Sequence, residues 1–130
     1  MKNGDVLTVY EALMELSKHP ETKLSVRAGY ILAKDRKILE EEARIIYEER
    51  KKILMEYGEY QKDGSVVVPK DKISEANGKI NELMEIECDV KVLMVPMEDL
   101  EEAELEIGIT EGLMEIIQLP VVTGLPIIED

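Results

Sequence analysis

The stretch from Ser25 to Tyr57 most constrains the fold, because it lacks proline and its one glycine, Gly29, lies near the start. Within it, apolar side chains recur seven residues apart in two adjacent seams, Leu32, Leu39, Ile46 and Ile53 in one and Ile31, Ile38 and Ile45 in the other. Such repeats form a stripe along an α-helix. The sequence therefore predicts a helix over about 25–57, about 50 Å long, which stops at Gly58.

Shorter elements are predicted on both sides of this helix. Helical spacing of apolar residues predicts a first helix over Thr8–Lys18, with Thr8 as its N-cap and an end before Pro20. A turn at Asp63-Gly64 and a strand over 66–68 follow the long helix. A further helix is predicted over 71–87. The simplest packing is an antiparallel hairpin of the two arm helices, with the turn at its tip.

The C-terminal part predicts a small α/β unit. Strands are expected over 88–95 and over 103–107, the second as an edge strand with an acidic outer face. A helix is expected from Thr110 to Leu119, buried through Leu113, Ile116 and Ile117. Residues 120–130 read as either a final strand or a flexible arm. The prediction is one α+β domain, 1–130, with a helical arm over 8–87 and an acidic part over 88–130 that holds a short antiparallel or mixed sheet.

The formal net charge of -13 is distributed unevenly. Residues 1–81 carry 15 acidic and 15 basic side chains, whereas residues 82–130 carry 14 acidic ones and a single base, Lys91. The excess either keeps the surface soluble or docks on a basic partner. Direct binding to nucleic acid is disfavoured, since phosphate contacts need Lys and Arg. The candidate partner-binding carboxylates are Glu98, Asp99, Glu101, Glu102, Glu104 and Glu106.

The sequence contains no phosphate-binding glycine loop, no HExxH motif and no nucleophile elbow. One histidine, His19, supports no catalytic inference. One cysteine, Cys88, cannot form an internal disulfide or a cysteine-based zinc site. The acidic segment 97–107 lacks the glycine and spacing of an EF-hand loop. We therefore expect no enzymatic activity, no cofactor and no metal site.

The second seam raises the question of what covers it. Ile31, Ile38 and Ile45 can pack on the first helix, on the C-terminal unit or on a second copy of the chain, so a homodimer remains open. No segment has the ~18–20 consecutive apolar residues that span a bilayer, and no signal peptide is recognisable. The expected location is the cytoplasm, without a membrane partner.

Several strings in the chain resemble one known family. They are the segments 24–34 and 47–59, Asp63-Gly64, Glu82-Leu83-Met84 and 89–92, so that the resemblance covers most of residues 8–117. The family consists of small proteins of unknown function from tailed phages and prophages of Gram-positive bacteria. The resemblance implies a phage origin, and hence the cytoplasm of a host cell. It implies no activity, and no functional residue transfers.

Two hypotheses follow. In the first, the protein is a non-catalytic phage accessory protein that binds other proteins in or beside virion assembly. In the second, it is an inhibitor that uses its C-terminal negative surface to occupy the basic groove of a host nucleic-acid-binding or defence enzyme. The absence of a recognisable active site favours the first, and the concentration of charge motivates the second.

Overall fold

A computed structural model describes residues 1–119 of the chain. The described part contains four α-helices and four two-residue strands, namely α1 (Asn3–Ser17), α2 (Val26–Tyr57), β1 (Glu59–Tyr60), β2 (Val66–Val67), α3 (Ile73–Glu85), β3 (Val95–Pro96), α4 (Ile107–Leu113) and β4 (Ile117–Gln118). Single 3₁₀ turns precede α3, follow β3 and follow α4. The predicted final strand or flexible arm over 120–130 lies outside the described residues.

The long helix α2 is confirmed. The hydroxyl of Ser25 caps its start by accepting a hydrogen bond from the Ala28 N–H at 3.0 Å. The helix ends at Gly58, as predicted, but Gly58 adopts extended backbone with φ −124° rather than a left-handed conformation. Glycine is needed there for space, because a Cβ would lie 2.6 Å from Val66 Cγ1.

The first helix begins five residues earlier than predicted. Asp5 accepts a hydrogen bond from the Lys2 N–H at 2.9 Å, which stabilises a start at Asn3. Thr8, predicted as the N-cap, lies inside the helix, and its hydroxyl donates to the Gly4 carbonyl at 3.0 Å. A threonine can satisfy its hydroxyl in this way without ending the helix.

The arm is a helical hairpin, as predicted. Helix α3 packs beside both α2 and α1, and β1 and β2 pair antiparallel at the tip, with Glu59 opposite Val67. The buried Asn3 joins the base of the arm to α1, because its side chain donates to the Leu83 carbonyl at 2.9 Å. Within α3, Ala76 is the one fully buried residue. The fold class is therefore α+β with a helical arm.

One hydrophobic core serves both halves of the chain. It contains residues of α1, the first two thirds of α2, β3, α4, the 3₁₀ turn after α4 and β4. Its most enclosed side chains include Leu39, Leu113 and Ile116. Helix α1 packs against α2 on one side and α4 on the other. Residue 88 therefore marks no boundary in the packing.

The predicted strand over 88–95 is wrong for most of its length. At its start, the Cys88 N–H donates to the Met1 carbonyl at 2.9 Å in an isolated antiparallel bridge between Lys2 and Glu87 that does not extend. Further on, the Leu93 N–H donates to a side chain, Asp35 Oδ1, at 2.8 Å. Only β3 at its end forms a ladder, and it pairs parallel to β4, with Val95 opposite Ile117.

The predicted edge strand over 103–107 is also wrong. Residues 104–106 form irregular backbone, and Ile107 is 78% exposed at the first turn of α4. The last helix starts three residues before the predicted Thr110, because the Thr110 N–H already donates to the Glu106 carbonyl at 3.0 Å. It ends at Leu113, and a 3₁₀ turn then leads into β4. The predicted burial of Leu113, Ile116 and Ile117 is correct.

Candidate functional site

The six carboxylates predicted as partner contacts lie in one segment, residues 98–106, which we call the acidic loop. It begins in the 3₁₀ turn after β3 and continues through turns into irregular backbone. Three apolar residues in the same segment hold it to the body, Ala103 being buried and Leu100 and Leu105 packing against the core. Because the apolar residues turn inward between the acidic ones, the five glutamates lie at the surface, whereas the Asp99 side chain is only 14% exposed. The loop thus presents a fixed cluster of negative charge.

One ion pair fixes the start of the acidic loop. Arg27, in the first turn of α2, donates from Nε to Asp99 Oδ2 at 2.5 Å and from Nη2 to Asp99 Oδ1 at 3.2 Å. This two-pronged contact restricts the orientation of both groups. The hydrogen bond to Asp99 raises the pKa of Arg27. Among residues 1–119, no other side chain of the acidic loop forms an ion pair.

A pocket of about 500 Å³, which we call the acidic groove, lies between this loop and the segment that joins α1 to α2. Its charged rim includes Glu21 and Lys23 together with Glu101, Glu102, Glu104 and Glu106. Apolar side chains, among them Leu16, Leu105 and Ile109, also line it. A surface of this kind fits a polypeptide with basic side chains around an apolar one.

Glu98 and Asp99 lie beside this groove and not in it. They line a second pocket of about 220 Å³ together with Ser25, and Lys23 and Glu102 border both pockets. The structure therefore brings all six predicted carboxylates into one continuous region. Sequence reasoning missed the contribution of Glu21 and Lys23, which are distant in the chain.

The acidic loop contains one residue in the left-handed region, Glu104, at φ 50°. A non-glycine residue in this region costs roughly 1 kcal/mol or more, and the surrounding structure must enforce it. Ala103 on one side is buried and Leu105 on the other is half-buried, so both neighbours are anchored. This backbone turns the Glu104 carboxylate outward.

The second apolar seam is mostly occupied by the protein itself. Ile31 is buried in the core, Ile38 is half-buried, and Ile45 is 44% exposed. Ile31 is therefore not accessible to a partner, because the core already covers it. Of the three predicted seam contacts, Ile45 presents the largest free apolar surface.

A buried carboxylate on α2 was not anticipated. Asp35 is fully buried; its Oδ1 accepts the hydrogen bond from Leu93 N–H, while Oδ2 has no hydrogen-bond partner within the described part of the chain. Burial raises the pKa of Asp35, and the hydrogen bond from Leu93 opposes that effect. Asp35 lies on the buried stripe of α2 together with Leu32 and Leu39. The spacing of residues in the sequence does not show whether a carboxylate at this position is buried or exposed.

The remaining reactive groups are held in structural contacts. His19 lies between two carboxylates, with Nδ1 3.3 Å from Glu21 Oε2 and Nε2 3.7 Å from Glu15 Oε2. Burial raises the pKa of the Cys88 thiol, as does the nearby Glu42, so the thiolate nucleophile is disfavoured. Among residues 1–119, no group of three or more histidine, cysteine, aspartate or glutamate side chains is arranged to hold a metal ion.

Comparison with protein families, with curated proteins and with solved structures found no match for the chain. Between residues 1 and 119, none of the helices combines the length and the apolar character needed to cross a membrane.

Proposed function

We propose that this is a non-catalytic phage accessory protein that binds another protein, in or beside virion assembly, through the acidic groove. The observation that carries the proposal is that the acidic groove combines apolar lining residues with four glutamates that form no ion pair within residues 1–119, namely Glu101, Glu102, Glu104 and Glu106. Charges around an interface steer the encounter and select the partner, while buried apolar contacts supply most of the affinity. The proposed location is the cytoplasm of the host cell.

The partner surface is expected to be basic. Residues 82–119 carry twelve carboxylates and one base, Lys91, so a negatively charged partner such as a nucleic acid would be repelled. Ile45 on α2 offers a further apolar contact, either to the partner or to a second copy of the chain. Association through the acidic groove should weaken with added salt, because salt screens exposed charges.

The test is capture of partners from phage-infected Gram-positive host cells, with mass spectrometry as the readout. The groove variant replaces four rim carboxylates by glutamine: Glu101→Gln, Glu102→Gln, Glu104→Gln and Glu106→Gln. A control variant makes the same change in charge at exposed sites outside the groove: Glu40→Gln, Glu56→Gln, Glu75→Gln and Glu82→Gln. The proposal expects virion or assembly proteins with the parent chain and the control, and their loss with the groove variant. Undiminished capture by the groove variant would contradict it.

A second candidate function rests on the same charge distribution. An acidic surface can occupy the basic groove of a host nucleic-acid-binding or defence enzyme in place of nucleic acid. In that case the captured protein is such an enzyme, and the purified chain inhibits its activity. The groove variant should then lose inhibition while the control retains it. Capture of assembly proteins without any such enzyme would exclude this alternative.

A further inference from the structure

A further, largely apolar pocket, which we call the apolar pocket, lies between the end of α1 and the start of α2. Its volume is about 230 Å³, and it is lined by four leucines, with Gly29 and Arg36 on the α2 side; the leucines are Leu13, Leu16, Leu24 and Leu32. This pocket is distinct from the acidic groove, although both border the segment that connects the two helices. Its lining suits an aliphatic group.

Gly29 keeps this pocket open. A Cβ at Gly29 would meet no heavy atom within 4 Å among the described residues, so the packing there does not require glycine. Glycine inside a helix costs about 1 kcal/mol relative to alanine. A larger side chain at this position would project into the pocket space. Gly29 therefore lowers the stability of the helix and leaves a pocket that the side chains of residues 1–119 do not fill.

Arg36 gives the pocket a positive charge that no other side chain among residues 1–119 neutralises. Of the four arginines, Arg27 and Arg44 form ion pairs, and the Arg50 guanidinium lies 5.1 Å from the ring centre of Tyr47. Arg36 is half-buried and makes no hydrogen bond or ion pair within residues 1–119. A guanidinium in this state can hold a carboxylate in two parallel hydrogen bonds.

We propose that this pocket binds one aliphatic side chain of a partner polypeptide, with a neighbouring carboxylate of that polypeptide on Arg36. The volume supports a single side chain, because sites for whole small molecules usually measure about 300–1,000 Å³. The leucines would hold the aliphatic group, and the guanidinium would hold the carboxylate in two hydrogen bonds. This site does not depend on the acidic groove and is tested without it.

The test uses the full chain and two probes with the same branched six-carbon skeleton, 4-methylpentanoate and 4-methylpentylamine, and follows their binding by amide NMR shifts. The inference expects saturable shifts at Gly29 and Ala33, with the carboxylate bound about fivefold more tightly than the amine. Non-specific attraction to a protein of charge -13 predicts the opposite order, so this preference is diagnostic. Arg36→Gln should remove the preference, and Lys37→Gln, an equal change at an exposed neighbour, should preserve it.

Filling the pocket provides the second arm of the test. Gly29→Leu should abolish binding of both probes, and Gly29→Ala should weaken it while raising helix stability. Equal or tighter binding of the amine overturns the inference, as does an unchanged preference in Arg36→Gln. Binding that survives Gly29→Ala without any loss also overturns it, even where Gly29→Leu fails to fold. Because each readout is confined to this pocket, failure here is distinguishable from failure of the acidic-groove proposal.

Discussion

Gly112 lies where α4 crosses α1, and this crossing sets the position of the acidic loop that precedes α4. A Cβ at Gly112 would lie 2.6 Å from Ala12 Cβ and 3.4 Å from the Thr8 carbonyl oxygen. Carbon atoms in contact prefer about 3.5–4.0 Å, so Gly112→Ala must push the helices apart by about 1 Å. Gly108, one turn earlier in α4, is the matched control, because its would-be Cβ meets no packed neighbour within 4 Å among residues 1–119.

The expected magnitude follows from two opposing effects. Forcing a methyl group into a packed contact costs about 1–3 kcal/mol, and replacing a helical glycine by alanine returns at most about 1 kcal/mol. With the full helix gain, Gly112→Ala should therefore lower the free energy of unfolding by about 0–2 kcal/mol, which leaves it about 1–3 kcal/mol less stable than Gly108→Ala. Gly108→Ala, which receives only the helix contribution, should leave it unchanged or raise it by up to about 1 kcal/mol. Urea unfolding followed by far-UV circular dichroism measures both.

A double variant separates the steric cause from other effects of the alanine. Ala12→Gly removes the obstructing methyl group at the cost of one glycine in α1, about 1 kcal/mol. Combined with Gly112→Ala, it should be less harmful than the two single effects added together, with a coupling of at least about 1 kcal/mol. Equal stability of the two alanine variants at 108 and 112, or strict additivity in the double variant, would refute the close packing of α1 on α4.

Two further predictions concern α2. Burial raises the pKa of Asp35 above its value in the unfolded chain, so the folded state holds this proton more tightly. The stability that this proton contributes is therefore present below about pH 4, and it is lost as the pH rises through the folded-state pKa. Asp35→Asn, which keeps an oxygen acceptor for Leu93 N–H, should abolish this component and stabilise the fold at neutral pH. Gly58→Ala would place a Cβ 2.6 Å from Val66 Cγ1, so it should separate the β1–β2 hairpin from the end of α2 and speed amide exchange of both strands. Gly78→Ala in α3 should not, because its Cβ would meet no packed neighbour within 4 Å in the described part of the chain.

The readouts for these predictions differ. For Asp35→Asn, the difference in unfolding free energy from the parent chain is measured between acidic and neutral pH, and a difference independent of pH would refute the assignment. For Gly58→Ala, exchange should accelerate at the arm tip and remain unchanged at core positions such as Leu39 and Leu113. Uniform acceleration over the whole chain would show that the hairpin and the core unfold as one unit.

The helices were predictable because their signals are local. The seven-residue repeat through Leu32, Leu39 and Ile46 defines the buried stripe of α2, and all three residues are buried. The strand predicted over 88–95 failed for a non-local reason. Its apolar alternation is real, but the partners of its N–H groups are the Met1 carbonyl and the Asp35 carboxylate, which are distant in sequence. The periodicity of apolar residues indicates which side chains face inward. It does not indicate which groups accept hydrogen bonds from the backbone N–H groups of those residues.

The candidate site was predictable in composition and not in shape. The six carboxylates of the acidic loop stand out as a run of charge, whereas the groove also needs Glu21 and Lys23 from the connection between α1 and α2. The contact between Arg27 and Asp99 spans 72 positions in the chain, and no short-range pattern encodes it. In the sequence, Gly29 is only a glycine near the start of a predicted helix. Its position beside a pocket is visible only in three dimensions.

The connection between α1 and α2 relates the two proposed sites. Leu16, His19 and Thr22 line both the acidic groove and the apolar pocket, so the two cavities lie on either side of one short segment. Their electrostatics are opposite, since glutamates surround the first and Arg36 borders the second. A partner that fills both must carry basic side chains and a carboxylate next to an aliphatic residue, in a fixed order. Such a charge pattern discriminates against simple polycations as well as against polyanions. A uniformly acidic surface repels polyanions but attracts any polycation.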